Sequence, residues 1–103
     1  MGEVLGDIPP PTTREKMAFG YIYLVEAVAG LFKIGTSKNV HARVAQLQTA
    51  SPVQIMLRHH FPAADARNVE RELHRRFESR RVRSEWFQLA EADVAAICEI
   101  RER

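Results

Sequence analysis

Lys33-Ile34-Gly35-Thr36-Ser37-Lys38-Asn39-Val40-His41-Ala42-Arg43 carries the chain from an alternating, strand-like run through a glycine turn into a segment with helical spacing. Up to Gly35 apolar and polar residues alternate with period two; beyond Ser37, Val40, Val44 and Leu47 recur on one helix face. Thr36 or Ser37 suits the N-cap of that helix, which the pattern continues to about Gln48. Glycine, hydroxyls, Lys38 and Asn39 side by side at a strand-to-helix junction are a common way to build a phosphate-handling surface.

Upstream, Tyr21–Val25 and Leu31–Gly35 read as two strands of an antiparallel hairpin around a loop that holds Gly30. Paired through Tyr23 and Lys33, they place Ile22, Leu24, Phe32 and Ile34 on one face and Tyr21, Tyr23, Lys33 and Gly35 on the other. One face makes core; the other is left for chemistry. Downstream, Ser51-Pro52 ends the first helix, Val53–Phe61 reads as a third strand, and Ala64–Phe77 as a second helix with Ala66, Val69, Leu73 and Phe77 as its buried stripe. In an ideal helix Glu70 falls about 55° from the centre of that stripe and Glu72 about 105° away on the other side. Glu70 is therefore the carboxylate at the core's edge, with His74 one turn on along the same flank and Arg71 and Arg75 facing outward. Ser84-Glu85-Trp86-Phe87 reads as a short extended piece. A last helix starts near Ala90 with Val94, Ile97 and Cys98 inward. The order strand, strand, helix, strand, helix makes the fold class α+β.

Residues 1–19, with Pro9-Pro10-Pro11, carry no sustained period and read as a flexible N-terminal arm, leaving 20–103 as a single domain. A chain of 103 residues, 46% hydrophobic, holds one modest core and not two. Its single cysteine excludes an internal disulfide, and with no apolar leader it points to a reducing, intracellular (cytoplasmic) setting. No apolar run approaches the ~20 residues that cross a bilayer, so a membrane is not an expected partner. The four histidines make no zinc site: His59 and His60 fall on opposite faces of a strand, and His41 and His74 lack carboxylate or cysteine partners at ligand spacing. Charge is uneven along the chain. Arg67–Arg83 holds seven arginines against three glutamates, whereas Ser84–Arg103 holds two arginines against five acids. The basic block suits either phosphate or a solvated helix face.

The ordered series Tyr21-Ile22-Tyr23, Lys33-Ile34-Gly35, Asn39, Arg43 and Glu70 resembles the GIY-YIG nuclease family. The second block is similar to the nuclease domain of the bacterial excision-repair incision enzyme. Together with Leu73-His74 and Glu85-Trp86-Phe87 it is more like the small phage-type sub-branch. The resemblance spans about Gly20–Leu89 and implies a small three-stranded antiparallel sheet flanked by helices, in agreement with the element order, and hydrolysis of a DNA phosphodiester with one divalent metal, Mg²⁺ or Mn²⁺. It departs from the common pattern at Lys33, where the second motif ordinarily begins with tyrosine, at Tyr21, where the first begins with glycine, and at Thr36, where the repair domain has lysine.

On this resemblance Glu70 is the metal ligand, Arg43 donates paired hydrogen bonds to the scissile phosphate, and Tyr23 orients or deprotonates the attacking water with the charge of Lys33 to help it. Tyr21, Gly35, Thr36, Lys38, Asn39, His74 and Arg75 complete the expected substrate surface. Glu85 is expected to cap or pair and Trp86 to pack. Two other readings stand beside it: a catalytically weak nucleic-acid-binding module of the same fold, which uses the same basic surface, and a protein-interaction or antitoxin-like module, which the small size and the acidic last helix favour. The last helix, apolar on one side and acidic on the other, packs either within the chain or across a homodimer.

Overall fold

A computed structural model describes residues 18–103. Strand β1 is Gly20–Glu26 and β2 Leu31–Ser37, followed by helix α1 at Val40–Ala50, β3 at Met56–Ala63 and α2 at Ala66–Arg76. After a 3₁₀ turn at Glu78–Arg80 come β4 (Arg81–Arg83), β5 (Trp86–Gln88) and α3 (Glu91–Cys98). The expected arm lies outside the described residues except for Ala18 and Phe19, of which Ala18 accepts a hydrogen bond from Ala66 N at 2.9 Å.

The sheet is antiparallel with strand order β3-β1-β2-β5-β4, so the α+β class holds while the strand count is five instead of three. The added pair is a hairpin of three-residue strands turned at Ser84, whose φ is 53°. Strands that short show no periodicity, and an Arg-Val-Arg strand gives no apolar signal.

In the β1–β2 hairpin Tyr23 lies opposite Gly35 and Val25 opposite Lys33, which corrects the expected Tyr23–Lys33 pairing by two residues. The turn sets this register: Leu31 N donates to Val28 O at 2.8 Å, Ala27 N donates to Leu31 O at 2.9 Å, and Gly30 takes φ 82°. A slip of two, unlike a slip of one, leaves each side chain on its face. Ile22, Leu24, Phe32 and Ile34 accordingly join Phe61, Leu73, Phe77, Phe87 and Ile97 in the main core beneath α2 and α3. Full burial of side chains such as Phe61 and Phe87 stabilises by about 1.5–3 kcal/mol each.

The opposite face is not left open. Helix α1 covers it, and Val40, Val44 and Leu47 pack there with Tyr23 and Val25. Asn39, not Thr36 or Ser37, caps α1: its Oδ1 accepts from Ala42 N at 3.1 Å, while Ser37 Oγ accepts from Asn39 N at 3.0 Å at the end of a longer β2. Strand β3 begins at Met56 instead of Val53, because the Gln48 amide holds the approach as a loop. It accepts from Ile55 N at 2.8 Å and donates to Val53 O at 3.1 Å.

Helix α2 is capped by Asp65 and buries the expected Ala66, Val69, Leu73 and Phe77 stripe. The inward residues of α3, Val94 and Ile97, enter the same core, so that helix packs within the chain. Arg103 N donates to Pro62 O at 2.9 Å and Ala64 N to Arg103 O at 3.3 Å, which covers the end of edge strand β3. Among the described residues no helix is long and apolar enough to cross a membrane.

Candidate active site

Strand β5 pairs with β2 only over Leu31–Lys33, and beyond Lys33 the edge of β2 has no strand neighbour. Other groups serve its backbone there. Ile34 N donates to Glu85 O at 3.3 Å, and His74 Nε2 lies 2.8 Å from Ile34 O. A carbonyl only accepts, so Nε2 carries the proton, and in the neutral form of the ring the acceptor is Nδ1. Helix α2 crosses this opening with Leu73 and Phe77 in the core, which brings Glu70 and His74 to its border. The result is a cleft of about 360 Å³ lined by Thr36, Arg67, Glu70, Arg71, His74, Arg81, Ser84 and Glu85.

Glu70 is half-buried, and burial pushes its pKa above the ordinary value of 4.5; the negative charge of Glu85 pushes the same way. His74, Lys33 and Arg67 oppose the shift without cancelling it. Lys33 comes from the other face of β2 and is buried, with Nζ 2.6 Å from Glu85 Oε1 and 5.8 Å from the centre of the Trp86 ring. Glu85 therefore pairs, as the sequence suggested, across 52 residues.

Two carboxylates, one imidazole and three guanidinium groups thus meet around one opening. Its anionic floor could hold a divalent cation through Glu70, and its cationic rim could hold a phosphate. Among the described residues no group of three or more His, Cys, Asp or Glu side chains gathers as a ligand set. Any ion here would take most of its shell from water and substrate, as magnesium commonly does.

The remaining expected site residues fall elsewhere. Tyr23 is 1% exposed and lies against Gly35, where a β carbon would come 2.5 Å from its hydroxyl oxygen, so Gly35 serves this contact. Neither it nor Arg43 lines the cleft. Arg43, half-buried on α1, directs Nη1 to Gln46 Oε1 at 3.3 Å. Arg75 is exposed in the last turn of α2 with His74 and Arg76, where basic residues suit the helix dipole. Tyr21, Lys38 and Asn39 line a second hollow with Val40, His41 and His60.

Residues that sequence reasoning missed are Arg67, Arg71, Arg81 and Ser84. The signal for the first two was present in helical spacing, since Arg67 stands three before Glu70 and Arg71 three before His74 on the same helix. Arg81 and Ser84 depend on the β4–β5 hairpin, which left no such trace.

The profile of the T5orf172 domain family matches residues 20–101. Among curated proteins and among solved structures nothing matches the chain.

Proposed function

The chain belongs to the T5orf172 domain family, a group of nuclease-like or DNA-binding domains, and on that premise we propose that it is an endonuclease hydrolysing phosphodiester bonds in DNA. The reading extends to the GIY-YIG sub-branch with a Lys-Ile-Gly second motif. The observation that carries it is Glu70. A carboxylate half-buried beside a second carboxylate is unfavourable in the folded state by itself, and a cation bound in the cleft offsets that cost.

Glu70 would hold one Mg²⁺ or Mn²⁺, the ion sharing its shell with water and phosphate oxygens. When bound, the ion supplies positive charge at the phosphate and makes a bound water more acidic. The protein's own residues do the rest. Arg67, Arg71 and Arg81 bind and orient the phosphate, and the Thr36 hydroxyl adds a donor. His74, fixed through Nε2 to Ile34 O, offers Nδ1 as a proton acceptor. In this scheme the phosphate clamp expected of Arg43 passes to Arg67 and Arg71. Tyr23 positions the β2 backbone through Gly35, and Lys33 holds Glu85 and offsets charge at Glu70.

The test is nicking of a supercoiled plasmid with Mg²⁺ or Mn²⁺. The wild type converts it to open circle, and Glu70→Ala abolishes conversion while DNA is still retained. The placement of Tyr23 and Arg43 off the cleft favours a second reading, a DNA-binding module without cleavage. That reading stands if the wild type binds DNA without metal and nicks it with neither ion.

A further inference from the structure

The four histidines divide into two kinds. His59 donates from Nε2 to Ile100 O at 2.7 Å and His74 to Ile34 O at 2.8 Å, so each is tied to the backbone. His41 and His60 are exposed and make no hydrogen bond among the described residues. They come instead from different elements to one place, His41 from the first turn of α1 and His60 from β3, with ring centres 5.9 Å apart at 75°. Tyr21 of β1 stands edge to face with His60 at 6.2 Å, and Phe19, 54% exposed, edge to face with Tyr21 at 5.6 Å. Four rings therefore adjoin without stacking on one another. Tyr21, His41 and His60 close a hollow of about 250 Å³ with Lys38, Asn39 and Val40.

A small groove shares residues with both this hollow and the cleft. Lys38 lines the groove with Phe19, Ser37, Thr36 and Arg67, and the last two line the Glu70 cleft. Thr36 and Lys38 are separated by at most about 7 Å of extended chain. Neighbouring nucleotides of one strand can reach both places.

We propose that the Tyr21–His41–His60 hollow binds one unpaired nucleobase of the strand whose phosphate enters the Glu70 cleft, with the Lys38 ammonium on the intervening backbone. The inference rests on the endonuclease reading for the identity of the strand. Aromatic and imidazole faces that do not stack on each other accept a base by stacking, which every base permits and which needs no sequence-specific hydrogen bonds. A base inside an intact duplex has both faces covered and cannot enter. The substrate class is then DNA with a single-stranded segment, such as a flap, gap or loop, and not a fully paired duplex.

The experiment uses the full chain in chelator, so that binding is read apart from cleavage. Fluorescence anisotropy compares a labelled thymidine oligonucleotide with a blunt duplex of equal length, and a strand carrying one 2-aminopurine reports stacking by its quenching. The wild type should prefer the single strand and quench the probe. His41→Ala/His60→Ala should lose about tenfold in single-strand affinity together with the quenching. Circular dichroism checks the fold, and His41→Ala alone, on an exposed helical turn, serves if the double variant does not fold. Equal affinity of wild type for the two DNAs, or unchanged single-strand binding in the variants, overturns the proposal. Cleavage of a gapped or flap DNA with Mg²⁺ or Mn²⁺, measured in parallel, separates the two ideas. Cleavage without single-strand preference overturns the base hollow alone, and preference without cleavage overturns the endonuclease reading alone.

Discussion

The Tyr23 ring lies so close to the Gly35 backbone that an added β carbon would stand 2.5 Å from Oη and 2.6 Å from Cζ. The two residues are directly opposite in the β1–β2 ladder, and Tyr23 is buried in one cluster with Val25 and Val40.

Gly35→Ala should therefore destabilise the fold by about 1–3 kcal/mol, as overpacking of a well-packed core does. Tyr23→Phe in the same chain does not rescue it, because the Cζ contact persists, whereas Tyr23→Val relieves it. Urea unfolding of the single and double variants gives the coupling; additive effects would contradict the contact.

The Lys33–Glu85 pair is asymmetric, since the lysine is buried and the glutamate side chain is 39% exposed. Glu85→Gln leaves a buried ammonium without its anion and should cost about 1–2 kcal/mol. Lys33→Met keeps the stem packed on Trp86 and should cost less. Denaturant midpoints that reverse this order would show that the pair does not hold the strand edge.

Glu70 has its pKa raised in the folded state, first by burial and next by Glu85. The folded protein therefore holds the proton more tightly than the unfolded chain, and stability falls as pH rises through the folded value. Glu70→Gln, a mimic of the protonated acid, should match the wild type below the ordinary value of 4.5 and melt higher than it at neutral pH without divalent metal. Proton and cation compete for the same oxygens, so Mg²⁺ or Mn²⁺ should narrow the gap at neutral pH. Melting curves across this range that run parallel would count against the assignment.

Phosphate contacts leave a mark in the salt dependence of binding. Arg67→Ala and Arg71→Ala should each weaken DNA binding and lower the slope of log affinity against log salt by about 1. Arg43→Ala, whose guanidinium meets Gln46 away from the cleft, should change the slope less. A larger loss at Arg43 would return the phosphate clamp to α1.

Much of this fold is readable from burial alone. The stripes Val40, Val44, Leu47 and Ala66, Val69, Leu73, Phe77 are periodic because each packs on one face of the sheet. Glu70 and His74 follow from where those stripes leave room. The hairpin register was not readable, since it depends on how Ala27–Gly30 closes its hydrogen bonds and not on which residues are apolar. Nor was the setting of Glu70, because Lys33 and Glu85 meet only when β5 adds to β2. Tyr23 looked available for chemistry because alternation tells which face a side chain takes, not whether a helix later covers that face.

Because β5 leaves β2 after three residues, the entrance beside Glu70 is the part of a ladder that was never zipped. Ser84, where the β4–β5 hairpin reverses, lines it. A longer hairpin there, pairing on toward Ser37, would seal the entrance with backbone hydrogen bonds and make a sturdier sheet with no mouth.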